Sequence, residues 1–273
     1  MNFPKRNSRT FLWVSAIWQP VTDFWAKATN WPVVGKYIGW PLNDKHYDVT
    51  FIPINQELEQ GGSTVIPKQV VSEMIRRSSH RVIFPRCMCR VGCWCQDYPM
   101  EIGCIFMGEA TKDIDPSLGT AVSVEEALAH VDRAMEAGLI PQIGRVDPDP
   151  FMCGVKMKDW DRFLTLCFCC TCCCIAMRNM PRWASEIKGR MHRLEGLSIE
   201  VIEGCDGCGK CAKNCFADAI VVEDKRARIT DACKGCGICA GSCPRDAIKI
   251  SVSDGSRMLE EVFRRIDSYA DIT

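Results

Sequence analysis

In residues 122–141, VSVEEALAHVDRAMEAGLIP, apolar side chains recur at helical spacing behind Ser123 and Glu126, which form a capping-box pair. Gly138 and then Pro141 supply a stop, so an amphipathic helix is predicted here. His130 falls inside it, where a lone histidine reads as structural. A second helix is predicted from near Pro67, carrying Val70, Val71, Met74 and Ile75, before RVIF (81–84) turns extended. Further along, LSIEVIE (197–203) and AIKISVS (247–253) alternate as two strands that can pair, and IVVEDKRARI (220–229) reads as a hairpin turning near Asp224 and Lys225. The tail from Ser256 to Tyr269 sets Met258, Leu259, Val262, Phe263 and Ile266 on one stripe, which predicts a helix packed on a neighbour.

Composition changes this picture through one residue type. The chain has 273 residues, 47% of them hydrophobic, enough for a substantial core, and 20 of them are cysteine. So many cysteines imply disulfides or metal ligands. The amino terminus offers basic residues but no smooth apolar core with a small-residue cleavage site, and Ser15, Gln19 and Pro20 interrupt the apolar segment from Phe11 to Val21. A reducing, cytoplasmic setting with metal-binding thiols is therefore expected. Four histidines are too few to dominate the ligation, and 34 basic residues balance 34 acidic ones, so no overall field attracts nucleic acid. No glycine-rich nucleotide loop of the dinucleotide or P-loop type is present.

Two runs, CDGCGKCAKNC (205–215) and CKGCGICAGSC (233–243), share the spacing C-x2-C-x2-C-x3-C, and Pro244 follows the second. Every cysteine recurs at an offset of 28, as do Asp218/Asp246, Ala219/Ala247 and Ile220/Ile248. Two-residue steps wrap three thiolates around one iron–sulfur cluster, the glycines between them make room, and the fourth cysteine of each run serves the other cluster. That rule assigns Cys205, Cys208, Cys211 and Cys243 to one [4Fe–4S] cluster, and Cys233, Cys236, Cys239 and Cys215 to a second. A zinc ribbon would need cysteines grouped in pairs and fits the duplicated third step poorly.

These runs resemble the bacterial two-cluster ferredoxin family over roughly residues 197–252. The resemblance implies a small pseudo-symmetric α+β unit, two low-potential cubanes and electron transfer between partner redox proteins. Phe216 stands where that family usually has proline. A wider resemblance, to ferredoxin-fused iron–sulfur proteins of anaerobes, rests on Cys87, Cys89 and Arg90, on Asp97, Tyr98 and Pro99, and on Gly103, Cys104, Phe106, Met107 and Gly108. It names no substrate.

Twelve cysteines lie outside the ferredoxin-like runs: Cys87, Cys89, Cys93, Cys95, Cys104, Cys153, and Cys167, Cys169, Cys170, Cys172, Cys173 and Cys174 in the string CFCCTCCC. In a strand, CxC puts successive thiolates on one face, whereas adjacent cysteines point apart unless the chain bends. Further iron–sulfur clusters are the favoured reading for these metal-ligand candidates. Thiol–disulfide exchange and a structural metal site, with zinc the favoured ion, are the alternatives. Arg86 and Arg90 would favour a reduced cluster if they lay beside one, although arginines more often face solvent. Glu101 and Glu109 read as ordinary surface residues.

Five of the eight tryptophans, Trp13, Trp18, Trp25, Trp31 and Trp40, crowd the first forty residues among Lys5, Arg6, Arg9, Lys27 and Lys36. Such a segment suits a lid over the middle domain, protein docking, or peripheral attachment to a membrane surface. The expected fold class is α+β: a Trp-rich segment (1–60), a cysteine-rich α/β or α+β middle domain (61–195), a two-cluster ferredoxin-like domain (196–253) and a terminal helix (254–273). The expected function is low-potential electron relay, with a reductase acting on a small molecule or a disulfide as the alternative. The sequence identifies no catalytic residue.

Overall fold

The computed structural model describes residues 21–53, 58–60, 63–65 and 67–273. Trp13 and Trp18 therefore lie outside the described residues. After β1 (Tyr47–Phe51) comes a small hairpin of β2 (Leu58–Gln60) and β3 (Ser63–Val65). The strands β4 (Arg81–Ile83), β5 (Ile105–Met107), β6 (Thr120–Ala121), β7 (Ile140–Val146), β8 (Leu164–Cys169) and β9 (Met191–Arg193) follow. All but the hairpin join one sheet in the order β6-β4-β5-β8-β7-β1-β9, antiparallel throughout except for the parallel pair β1–β9. A strand from the Trp-rich segment thus sits inside this sheet. Pairing on both of its edges explains why: Val49 faces Gly144 of β7 on one side and Met191 of β9 on the other.

The sheet has two unlike faces. On one, Ile105, Met107, Ile143, Leu164, Leu166 and Phe168 are buried under the helices Pro67–Arg77, Val124–Glu136 and Gly255–Asp267. The first of these contributes Val70, Val71, Met74 and Ile75, the second Ala127, Val131 and Ala134, and the third Met258, Val262 and Ile266. Each fully buried aliphatic side chain of this kind stabilises the fold by roughly 1.5–3 kcal/mol. The helix Val124–Glu136 starts on the expected box, in which Ser123 Oγ accepts from the Glu126 N–H and Glu126 accepts from the Ser123 N–H. His130 is buried, with Nε2 at 2.8 Å from the Gly103 carbonyl, a structural role. On the opposite face Tyr47, Val49 and Phe51 stand beside Cys167 and Cys169, because Gln142 of β7 pairs with both Phe51 and Cys167.

The carboxy-terminal unit follows the sequence closely. β10 (Leu197–Val201) pairs antiparallel with β13 (Ile248–Val252), and β11 (Ile220–Glu223) pairs with β12 (Arg226–Ile229) through Asp224 and Lys225, both at positive φ. The fold is α+β, with this unit packed against the cysteine-rich region: Leu197, Ile199, Ile248 and Ile250 continue the same core. Among the described residues, no helix is long and apolar enough to cross a membrane.

Candidate metal centre

In the carboxy-terminal unit the 28-residue repeat extends from sequence into conformation. Gly207, Gly209, Gly235 and Gly237 all have positive φ. At Gly207 a Cβ would lie 2.5 Å from the Lys225 backbone, and at Gly235 it would meet Leu197 and Arg193 side chains inside 3 Å. The turn and its neighbouring chain thus demand glycine there, in addition to any cluster. Ala219 N–H points to Cys215 Sγ at 3.3 Å, and its counterpart Ala247 N–H points to Cys243 Sγ at 3.3 Å. Asp218 and Asp246 repeat as well, at φ 51° and 49°. Cys205, Cys208, Cys211 and Cys243 line one small cavity with Gly207 and Pro244. Burial pushes the Cys236 and Cys239 thiols up to about 12, and the nearby Cys233 and Cys215 add to both shifts. Each foursome expected from the spacing is therefore drawn together, with amide donors aimed at sulfur, an environment that suits thiolates shared with metal.

All twenty cysteines are free of disulfides. The twelve in the middle region divide into groups that the spacing did not reveal. A first group is a string of six neighbouring thiols, Cys87, Cys89, Cys174, Cys169, Cys167 and Cys104, each electrostatically coupled to the next. Cys104 lies 3.3 Å from Cys167, and Cys174 lies 3.3 Å from Cys169. The neighbouring thiols Cys169 and Cys89 hold Cys174 well below the ordinary thiol range, while the neighbouring thiol Cys167, and then burial, push Cys104 well above it. Cys167 and Cys169 share a face of β8, as strand alternation requires.

This string walls a cavity of about 720 Å³. The same cavity is lined by Trp25, Trp40, Trp160 and Trp183, with Phe151 and Met152. Trp25 packs edge-on to Trp183 at 5.2 Å, and Trp40 lies against His46 at 4.4 Å. Trp25 and Trp40 thus line the cavity from the amino-terminal side, with Trp40 half-exposed, while Trp31, equally exposed, meets Phe24. The polar groups are few. Cys169 Sγ donates to Gln142 Oε1, Gln142 Nε2 donates to Tyr47 Oη, and Asp147 holds both His46 Nδ1 at 2.6 Å and the Arg145 guanidinium. Burial pushes Asp149 up to about 7, with Thr165 Oγ1 donating to it at 2.9 Å. None of these polar residues was singled out from sequence, although the repeated Asp-Pro of residues 147–150 marks two of them.

A second group is Cys95, Cys170, Cys172 and Cys173, whose sulfurs all lie within 4.8 Å of one another. Cys93 stands beside it, with Arg178 Nη1 donating to its sulfur at 3.0 Å, and Arg178 Nη2 reaches Asp23 at 2.7 Å. Cys153 belongs to neither group. It is buried with Val155, Trp160 and Phe163 in a satellite core. Arg86 is exposed, but Arg90 is fully buried, against expectation for an arginine of this segment. Its guanidinium donates to the carbonyls of Pro99 at 2.8 Å, Phe168 at 2.7 Å and Ile102, which clamps the Cys87–Cys104 segment onto β8. Glu101 is exposed and Glu109 pairs with Lys112, so both are surface residues.

A protein-family comparison identifies a 4Fe-4S binding domain at residues 227–249, which include Cys233, Cys236, Cys239 and Cys243. One such motif is matched, and the first run lies outside the matched residues. No curated protein and no solved structure shows significant similarity to the chain. The matched domain and the convergent thiols together support an iron–sulfur protein with at least one cluster.

Proposed function

We propose that the chain is an electron-transfer protein carrying two [4Fe–4S] clusters in its carboxy-terminal unit. Cys205, Cys208, Cys211 and Cys243 would hold one, and Cys233, Cys236, Cys239 and Cys215 the other. Such clusters supply one-electron storage with the charge spread over several irons. The observation that carries the reading is the conformational repeat, with paired N–H donors from Ala219 and Ala247 to Cys215 and Cys243. Those donors, with Ala227 N–H toward Cys205 and Gly235 N–H toward Cys233, stabilise negative charge on sulfur and so favour the reduced state. A groove of about 630 Å³ has Cys215 of this unit and Cys170 of the middle region in one lining. That juxtaposition supports passage of electrons between the two regions, with further clusters on the six-thiol string and redox proteins as donor and acceptor. A cytoplasmic location accords with the disulfide-free cysteines, and the amino-terminal segment is available for docking to a protein or a membrane surface.

The test is iron and acid-labile sulfide content of the anaerobically purified full chain, with electron paramagnetic resonance after reduction. We expect the coupled spectrum of two reduced [4Fe–4S] clusters, and loss of that coupling in Cys208→Ser and in Cys236→Ser. Unchanged iron, sulfide and spectrum in both variants would overturn the assignment.

The cavity favours a second reading. A cavity of about 720 Å³ with several aromatic lining residues suits a small apolar molecule or a disulfide, which electrons from the ferredoxin-like unit would reduce at the thiol-lined wall. Reoxidation of the reduced chain accelerated by such a compound, and slowed in Trp40→Ala, would favour this reductase over a simple relay.

A further inference from the structure

We infer that Cys95, Cys170, Cys172 and Cys173 form a separate site for one thiophilic divalent cation, zinc or iron. The first reason is spacing. Four ligands on one tetrahedral ion with metal–sulfur bonds of about 2.3 Å stand about 3.8 Å apart. Cys95 and Cys172 are 3.8 Å apart and Cys172 and Cys173 3.6 Å, with all four sulfurs inside 4.8 Å. A cubane carries each thiolate on its own iron, which spreads four cysteines farther apart and needs room for sulfides between them. Among the described residues this is the one group of three or more Cys, His, Asp or Glu side chains that draws together so tightly. The ferredoxin-like thiols and the six-thiol string do not.

The second reason is topology. Cys95 ends the Cys87–Cys95 segment, whereas the other three come from the loop after β8. One ion would pin together the two segments that also carry the six-thiol string, and Cys170 faces both the large cavity and the groove shared with Cys215. This inference does not rest on the electron-transfer reading, since the four thiols select the ion whatever the other clusters do.

The experiment compares zinc, iron and acid-labile sulfide per full-length chain in the wild type, the double variant Cys95→Ser/Cys173→Ser, and Cys153→Ala. The expected result is loss of one metal equivalent in the double variant with labile sulfide unchanged, and no loss in Cys153→Ala. Loss of zinc identifies a structural staple. Loss of iron, together with the signal of an isolated high-spin ferric ion in the oxidised wild type, identifies a one-electron centre beside the groove. Loss of iron with matching labile sulfide, or no loss of metal, overturns the site. Should the double variant fail to fold, wild-type chain grown with cobalt decides. Tetrahedral thiolate–cobalt absorption supports the site, and its absence in cobalt-loaded chain overturns it.

Discussion

Two charged residues, one fully and one partly buried, show how this chain holds its thiol-bearing segments. Arg90 is fully buried and donates to three backbone carbonyls, including that of Phe168 between Cys167 and Cys169. Replacement by methionine keeps the volume but leaves those carbonyls without their donor, at a cost of about 3–5 kcal/mol. Arg90→Met should lower the thermal midpoint markedly and reduce metal loading of the middle region, both measurable on the purified chain. Asp149 acts in the opposite sense. Its native pKa, pushed up to about 7 by burial, exceeds the value near 3.8 of an exposed carboxyl, so between those limits the folded chain binds more protons than the unfolded one. Stability from this group therefore falls as pH rises from about 4 to about 7, by up to about 4 kcal/mol, and is flat above. In Asp149→Asn that decline should vanish, so the stability of wild type relative to the variant, read from urea midpoints, should fall across this window. A flat difference would show that Asp149 is ionised throughout. Neither residue was legible as a clamp or a buried acid, because burial depends on contacts made far along the chain: Arg90 meets Phe168, and Asp149 meets Thr165.

Legibility at the scale of the element followed the length of the pattern. The helices Val124–Glu136 and Gly255–Asp267 and the pairs β10–β13 and β11–β12 were readable because several periods or a two-residue turn lay within one window. Strands such as β5 and β9, each of three residues, offer too little alternation to be seen, and β1 was hidden inside a segment whose dominant feature is its tryptophans. The thiol groupings divide in the same way. The ferredoxin-like foursomes were read from local spacing, but Cys95 joins Cys170, Cys172 and Cys173 from far upstream, which no spacing rule encodes. Local turns also set what each element tolerates. Gly207, at φ 71° with the Lys225 backbone 2.5 Å from where a Cβ would stand, lies between two proposed ligands of one cluster. Gly207→Ala combines left-handed strain with a backbone clash and should cost about 1–3 kcal/mol. Iron content and the reduced-state spectrum should show that cluster diminished, with the foursome of Cys233, Cys236, Cys239 and Cys215 retained.

The ferredoxin-like unit is built into the whole molecule rather than tethered to it. Phe216, at the position where proline was expected, packs its ring 5.3 Å from Phe51 of β1. Lys234 Nζ donates to the Lys188 carbonyl at 2.8 Å, and Arg265 of the terminal helix donates to Asp48 of β1. The proline-to-phenylalanine departure thus gains a docking contact on the sheet that carries the cavity. Phe216→Ala should leave both proposed clusters assembled, because the residue follows the ligand Cys215 without being one. It should nevertheless loosen the unit by about 1–2 kcal/mol, since the truncated ring of Phe216 is only partly buried. Faster proteolytic cleavage around residues 194–197, with unchanged iron and sulfide content, is the expected outcome. Phe51→Ala also empties a fully buried core position and should cost more, about 3–5 kcal/mol, but adding Phe216→Ala to it should cost little further, because the contact is already gone. Additive losses would mean that the two rings act on separate parts of the fold and that Phe216 does not dock the unit.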